Sequence, residues 1–315
     1  MLSNTTKGYI LAAIAAASYG TNPLFALPLY KIGMNPESVL FFRYMTAIPM
    51  LAAMLMMRGR GFGLRRHQIL PLVAMGLIMA ISSLTLFESY NHMAAGIAST
   101  LLFVYPIMVA VIMATMFKEK VTKTTILAIT LALAGIALLN RSGDGTALSL
   151  WGVTLVMLSS LTYAVYIVVV NKSPLRMSSV KLTFYVLFFG MFTILGYTLV
   201  LGEQIQWLTT PRQWAYALQL AWVPTVLSLV LMAVSVRDIG STPTAIMGAI
   251  EPITAVAIGV VCFGENFTMR LAAGMVLILT AVILIIAGKE MSPQKITLVV
   301  GKIGRRLAKT WRWKQ

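Results

Sequence analysis

Residues Ser241-Thr-Pro-Thr-Ala-Ile-Met-Gly-Ala-Ile-Glu-Pro-Ile-Thr-Ala-Val-Ala-Ile-Gly-Val-Val-Cys-Phe263 form an apolar run of membrane-spanning length, with a carboxylate and a proline at its middle. As a helix rising ~1.5 Å per residue, the run places Glu251 ~14 Å from Thr242, near the centre of a ~30 Å hydrocarbon layer. A charged side chain at that depth is costly, so Glu251 is expected to face a bundle interior or a wet cavity and not lipid. Pro252 has no N–H to give, which leaves the carbonyl of Gly248 without its helical donor. Such backbone is tolerated in a membrane only where protein or water satisfies it. Gly248, Pro252, Ala255 and Gly259 make a small face that admits a neighbouring helix at close range.

The rest of the chain agrees with a membrane setting. Its 315 residues are 59% hydrophobic and 11% charged, with a mean hydropathy of +0.86, which excludes the ordinary soluble classes. The net charge of +16 would suggest nucleic acid in a soluble protein. Here the basic residues punctuate apolar spans, so they point to membrane topology and not to a nucleic-acid partner. The single cysteine, Cys262, excludes an internal disulfide framework and any multi-cysteine zinc site, and His67 and His92 leave little for metal chemistry. No cofactor is implied. The first apolar run follows Lys7 and continues past a normal signal core, so it reads as a first span and not as a removable leader.

Ten helices are expected: Gly8–Leu29, Glu37–Met57, Ile69–Tyr90, Ala94–Phe117, Thr122–Asn140, Leu150–Asn171, Ser179–Leu201, Trp214–Ser235, Thr242–Phe263 and Met269–Ala287. Only short polar segments separate them, so residues 1–288 read as one all-α transmembrane domain. With ten spans both termini share a side, and that side collects Lys7, Arg58, Arg60, Arg65, Arg66, Lys118, Lys120, Lys123, Lys172, Arg176, Lys181 and Arg237. Lys31, Arg43, Arg141, Arg212 and Arg270 fall on the other. This bias puts both ends in the cytoplasm. The tail, 289–315, carries eight Lys/Arg against Glu290. Its apolar residues and Trp311 and Trp313 suit a helix lying on the anionic inner leaflet. A solubilising tail that enforces topology remains the alternative.

Comparing the halves exposes an internal repeat. At an offset of 144 residues Gly8 meets Gly152 and Ser18-Tyr19 meets Thr162-Tyr163; at 146, Ser82 meets Ser228, Tyr105-Pro106 meets Glu251-Pro252, and Phe117-Lys118-Glu119 meets Phe263-Gly264-Glu265. A five-helix unit, about 7–140, has been duplicated as about 150–288. Because five is odd, the second copy enters the membrane with opposite polarity, as in many secondary transporters. Glu119 and Glu265 should then lie on opposite membrane faces. Each follows a helix end and precedes a capping threonine, which favours turn stabilisation over gating.

In these features the chain resembles the EamA-type permeases of the drug/metabolite transporter superfamily, over residues 7 to 288. The resemblance is carried by the ten spans in two halves, the Tyr105-Pro106…Phe117-Lys-Glu-Lys120 and Glu251-Pro252…Phe263-Gly-Glu265 blocks, Arg43 early in the second span, and Gly135 and Gly274 in the spans that close each half. It implies a secondary transporter of the bacterial inner membrane that works by alternating access, often an exporter of amino acids or other small metabolites. It does not identify the cargo.

Glu251 is the leading site residue. Desolvation disfavours its charged form, which suits it to exchange a proton or to meet a cationic substrate group; a protonated Glu251 that locks two helices together is the structural alternative. Its repeat mate is Tyr105, so any proton site is asymmetric. Ser18, Tyr19 and Asn22 in the first span, with Pro23 freeing the Tyr19 carbonyl, and Ser159, Tyr163 and Tyr166 in the sixth would line a central cavity suited to a small amphipathic solute. Arg43 and Glu88, both in the outer half, are candidates for a paired gate, against a static ion pair or snorkelling. Pro49, Pro106, Pro224 and Pro252 are candidate bending points.

Two other classes compete. An intramembrane hydrolase finds no His-Glu-x-x-His or Gly-x-Ser-x-Gly, and its only Gly-Asp pair, Gly143-Asp144, lies in a loop. A membrane receptor or scaffold needs no chemistry, but it leaves the midplane carboxylate and the broken helices without a use.

Overall fold

The computed structural model describes residues 4–118, 121–139, 149–173, 175 and 177–290. Glu119, Lys120, the Asn140–Gly145 loop with its Arg141 and Asp144, Arg176 and the tail beyond Glu290 lie outside them. The described chain is all helical, with no strand among the described residues. In order come α1 (Asn4–Gly20), α2 (Asn22–Lys31), α3 (Pro36–Met57), α4 (Arg66–Ser89), α5 (Ala95–Leu102), α6 (Tyr105–Met116), α7 (Lys123–Leu139), α8 (Leu150–Lys172) and α9 (Ser179–Leu201). Then follow α10 (Pro211–Ala221), a π-helical segment (Trp222–Leu227), α11 (Ser228–Ile239), α12 (Ser241–Met247), α13 (Ile250–Phe263) and α14 (Met269–Glu290).

Nine helices or helix pairs among the described residues are long and apolar enough to cross a membrane: Thr5–Lys31, Pro36–Met57, Arg66–Ser89, Ala95–Met116, Leu150–Lys172, Ser179–Leu201, Pro211–Ile239, Pro243–Phe263 and Met269–Ala287. The remaining expected span is the shorter apolar helix α7, with 17 residues. It packs along α14 where two glycines meet: a Cβ on Gly135 would come within 2.9 Å of the Gly274 carbonyl, and one on Gly274 within 3.0 Å of the Gly135 carbonyl. Helix ends follow local chemistry. Asn35 Oδ1 accepts from Ser38 N (3.0 Å) with Pro36 in the first turn of α3. Thr210 and Gln213 form a capping box ahead of Pro211. Gly202 and Gly264 end α9 and α13 at φ 71° and 70°, a conformation that glycine adopts without strain.

Four of the spans are not the continuous helices expected from hydropathy. The first breaks at Thr21, the fourth at Phe103–Val104 and the ninth at Gly248–Ala249, while the eighth passes through the π segment containing Pro224. Pro106 and Pro252 therefore sit in the first turns of α6 and α13, where a missing N–H costs little, and not as kinks within one helix. The Gly248 carbonyl accepts from Glu251 N instead (2.9 Å). At the first break the Tyr19 carbonyl accepts from Asn22 Nδ2 (2.7 Å), and the Ser18 carbonyl from Thr21 Oγ1 (2.6 Å).

The packing recurs between halves. Ser82 Oγ on α4 donates to the Ser159 carbonyl on α8 (2.9 Å), and Ser228 Oγ on α11 donates to the Ala15 carbonyl on α1 (2.9 Å). Gly152 lies against His92 and Met93, and Gly8 against Asp238 and Ile239. The end where Lys181 and Tyr185 meet residues 61–63 is the basic end, and the end where Lys31 meets Phe263 is the far end. At the basic end Lys181 Nζ donates to the carbonyls of Gly61 (3.0 Å) and Gly63 (2.7 Å), and Tyr185 Oη to that of Phe62.

Candidate functional site

The two broken helices α1/α2 and α12/α13 cross at their breaks, because Gly20 leaves room for the Glu251 carbonyl and the Thr254 side chain; a Cβ there would fall on both. This crossing puts Glu251 on a cavity of about 220 Å³, lined also by Tyr19, Arg43, Tyr44, Tyr105, Tyr163, Tyr166 and Thr225. Met79, Val186, Leu187, Leu229 and Met232 supply apolar wall. Ala16, Thr183 and Ala245 also line it. A narrow extension of about 20 Å³, lined by Ser82, Ser83, Leu86, Phe87 and Leu102, points to the far end.

Several of the polar groups have a traceable support. The π segment turns Thr225 toward α3, and Arg43 Nε donates to Thr225 Oγ1 (2.9 Å), which itself donates to the Leu220 carbonyl (3.2 Å). The Arg43 guanidinium also lies over the Phe87 ring, 5.5 Å from its centroid. Tyr44 Oη and Ser83 Oγ share a hydrogen bond of 2.8 Å. Tyr105 meets Tyr163 edge to face at 4.7 Å, and Tyr163 stacks on Tyr166 at 6.0 Å, so three rings line the cavity side by side. No ion pair to Arg43 or Glu251 within 4.0 Å exists among the described residues. A buried cation (Arg43 is 5% exposed) and a carboxylate thus share one cavity without neutralising each other.

Of the residues expected from sequence, Glu251, Tyr19, Tyr105, Tyr163 and Tyr166 converge on the cavity. Ser18, Asn22 and Ser159 do not. Ser18 and Asn22 are buried beside the break; Asn22 Nδ2 donates to the Tyr19 carbonyl, while Asn22 Oδ1 is buried without a partner. Ser159 bonds reciprocally with Ser82, holding α8 to α4. The gate candidates Arg43 and Glu88 are not paired in this structure: Glu88 Oε1 meets His92 Nε2 at 3.2 Å, and Arg43 Nε donates to Thr225 Oγ1. Their separate depths follow from α4 turning Glu88 outward in its last turn. Tyr44, Thr225 and Thr183 were missed, and the one available signal was Pro224, which marks the irregular backbone that positions Thr225.

A bundle of apolar helices interrupted around a polar central cavity is an architecture that suits a multi-pass membrane transporter. A model of the EamA-like transporter family matches residues 6–141 and again 150–287, and the chain belongs to that family. It is 26% identical to an uncharacterized transporter of Archaeoglobus fulgidus over 88% of this chain and 95% of that one. It is 23% identical to the uncharacterized transporter YvbV of Bacillus subtilis (89% and 92% covered). To the uncharacterized inner membrane transporter YedA of Escherichia coli it is 22% identical (80% and 82%). A solved crystal structure shares the fold with a TM-score of 0.63 at 15% identity, over 89% of this chain and 96% of its own. The protein is accordingly a multi-pass protein of the bacterial inner membrane.

Proposed function

We propose that the chain is a secondary transporter that exports small metabolites, amino acids foremost, by alternating access of the cavity around Glu251. The observation that carries this is the unpaired arrangement of Arg43 and Glu251 on one small cavity. A zwitterion answers both charges at once: its carboxylate meets the forked donors of Arg43 and its ammonium meets Glu251. The tyrosine faces and the Met79, Leu187 and Met232 wall then receive an apolar or aromatic side chain. At about 220 Å³ the cavity is below the ~300–1,000 Å³ of drug-sized pockets, which favours a small solute.

Ten spans in two inverted five-helix repeats, with both termini cytoplasmic, frame this cycle. The two family matches, the recurring Ser82/Ser228 and Gly152/Gly8 contacts and the basic end support that architecture. Proton coupling through Glu251 is part of the proposal, since a carboxylate in a membrane-depth cavity can exchange a proton for a cationic substrate group. The test is counterflow in proteoliposomes with an amino-acid panel, run for wild type, Glu251→Gln and Arg43→Gln. Uptake by wild type that falls in both variants is expected. Full gradient-driven flux in Glu251→Gln would refute the proton-coupled mechanism, and saturable binding without crossing would make the protein a receptor.

A further inference from the structure

Where α13 ends, one interaction is required neither by turn chemistry nor by the packing of one helix. Glu265 follows the end of α13, and its carboxylate crosses to the start of α5, accepting from Ala95 N (Oε1, 2.7 Å) and Gly96 N (Oε2, 3.2 Å). The expected role in its own turn is already filled: Gly264 is left-handed, Glu265 N donates to the Gly259 carbonyl (3.0 Å), and Thr268 Oγ1 caps α14 by accepting from Leu271 N (3.1 Å). The carboxylate instead satisfies two of the free N–H groups at the α5 N-terminus, where negative charge is favoured. Glycines make room for it on both helices. A Cβ on Gly259 would collide with the Glu265 carboxyl group, and one on Gly96 would come within 2.9 Å of Glu265 Oε2 and 3.0 Å of Val256 Cα. Burial pushes the Glu265 carboxyl above its ordinary range, while the Gly96 and Ala95 N–H groups hold it down.

Two further contacts lie at the same end. Tyr30 Oη donates to the Phe87 carbonyl (3.0 Å), tying α2 to α4, and Lys31 Nζ lies 5.1 Å from the centre of the Phe263 ring. Below them the cavity narrows to the 20 Å³ extension beside Ser83 and Leu102.

We propose that Glu265 is the latch of the far-end gate: by clamping the N-terminus of α5 to the end of α13 it holds the cavity shut there, and its release opens the cavity to that side. The proposal rests on the alternating-access reading above. Glu265 is thus a positioning residue for transport, remote from the solute site, and the break at Phe103–Val104 lets α5 swing without α6.

The test needs no substrate. In a Cys262→Ser background, Ser83→Cys places a thiol in the narrow extension, and its reaction with a membrane-impermeant maleimide is followed from the face opposite the N-terminus. With Glu265 in place, labelling should be slow. Gly259→Ala keeps every charge, favours the helix and sets a methyl where the carboxylate packs, so it should accelerate labelling about tenfold, as should Glu265→Ala. Glu265→Gln, which retains one acceptor oxygen, should fall between. Melting temperatures within a few degrees of the parent would show that the fold persists. Unchanged labelling in Gly259→Ala and Glu265→Ala with intact melting overturns the latch while leaving the transporter reading untouched. Failure of the counterflow assay, conversely, leaves the labelling result to stand or fall by itself.

Discussion

In one half of the chain Ser82 reaches the Ser159 backbone, and in the other Ser228 reaches that of Ala15. The fourth span breaks at Phe103–Val104 and the ninth at Gly248–Ala249. The halves part company at the cavity. The first residue after the break that faces it is Tyr105 in one half and Glu251 in the other. The first span breaks at Thr21, whereas α8 runs unbroken for 23 residues. Residues 222–227 form a π segment, whereas α4 is regular for 24. The Ser82 and Ser228 contacts between helices are repeated, whereas at the cavity Tyr19 and Tyr163 correspond but Tyr105 and Glu251 do not. A scaffold with two equivalent halves can rock between two states, while a solute without twofold symmetry requires a site that lacks it.

The sharpest way to break this comparison is at its asymmetric pair. Glu251→Gln should reduce transport about 10²-fold or more, because it leaves a substrate cation facing a neutral amide in a poorly hydrated site. Tyr105→Phe, at the matching position, should cost less than about tenfold, since only one hydroxyl is lost. Equal losses would mean that the halves contribute alike. Next in size, Arg43→Gln should weaken substrate affinity by about tenfold to 10²-fold, and Arg43→Lys should recover only part of it, because an ammonium lacks the fork that grips Thr225 and a carboxylate together. Full recovery by lysine would reduce Arg43 to a point charge. The smallest effects test the symmetric part: Ser82→Ala and Ser228→Ala should each lower stability by about 1 kcal/mol, read as similar losses in melting temperature. A much larger loss at one of them would show that the two halves do not share the load.

Much of the fold could be read directly. Nine expected spans have counterparts within a few residues, as with Thr5–Lys31 for Gly8–Leu29, because hydrocarbon length and the need to satisfy the backbone leave helices as the one local solution for such runs. Glu251 stood out for the same reason, as did the tyrosines beside it. Glu265 misled, since a glutamate after a helix end and before a threonine satisfies every local rule for a turn, yet its partners lie 170 and 169 residues away. For Arg43 the sequence offered a gate pair, a static ion pair or snorkelling, and none of these named Thr225 of the π segment, to which its Nε donates.

The sequence by itself determined that this chain carries many helices long and apolar enough to cross a membrane, and it pointed to two related halves and to a carboxylate in the middle of one apolar run. Each follows from composition, periodicity or the cost of a charge in hydrocarbon, all of which act on short stretches. Which groups share the cavity was decided only by the tertiary structure. The break at Thr21, the π segment at Trp222–Leu227 and the glycines at 20, 96 and 259 set how closely the helices approach. Those approaches join residues far apart in the chain, where hydrophobic pattern carries no information about partners.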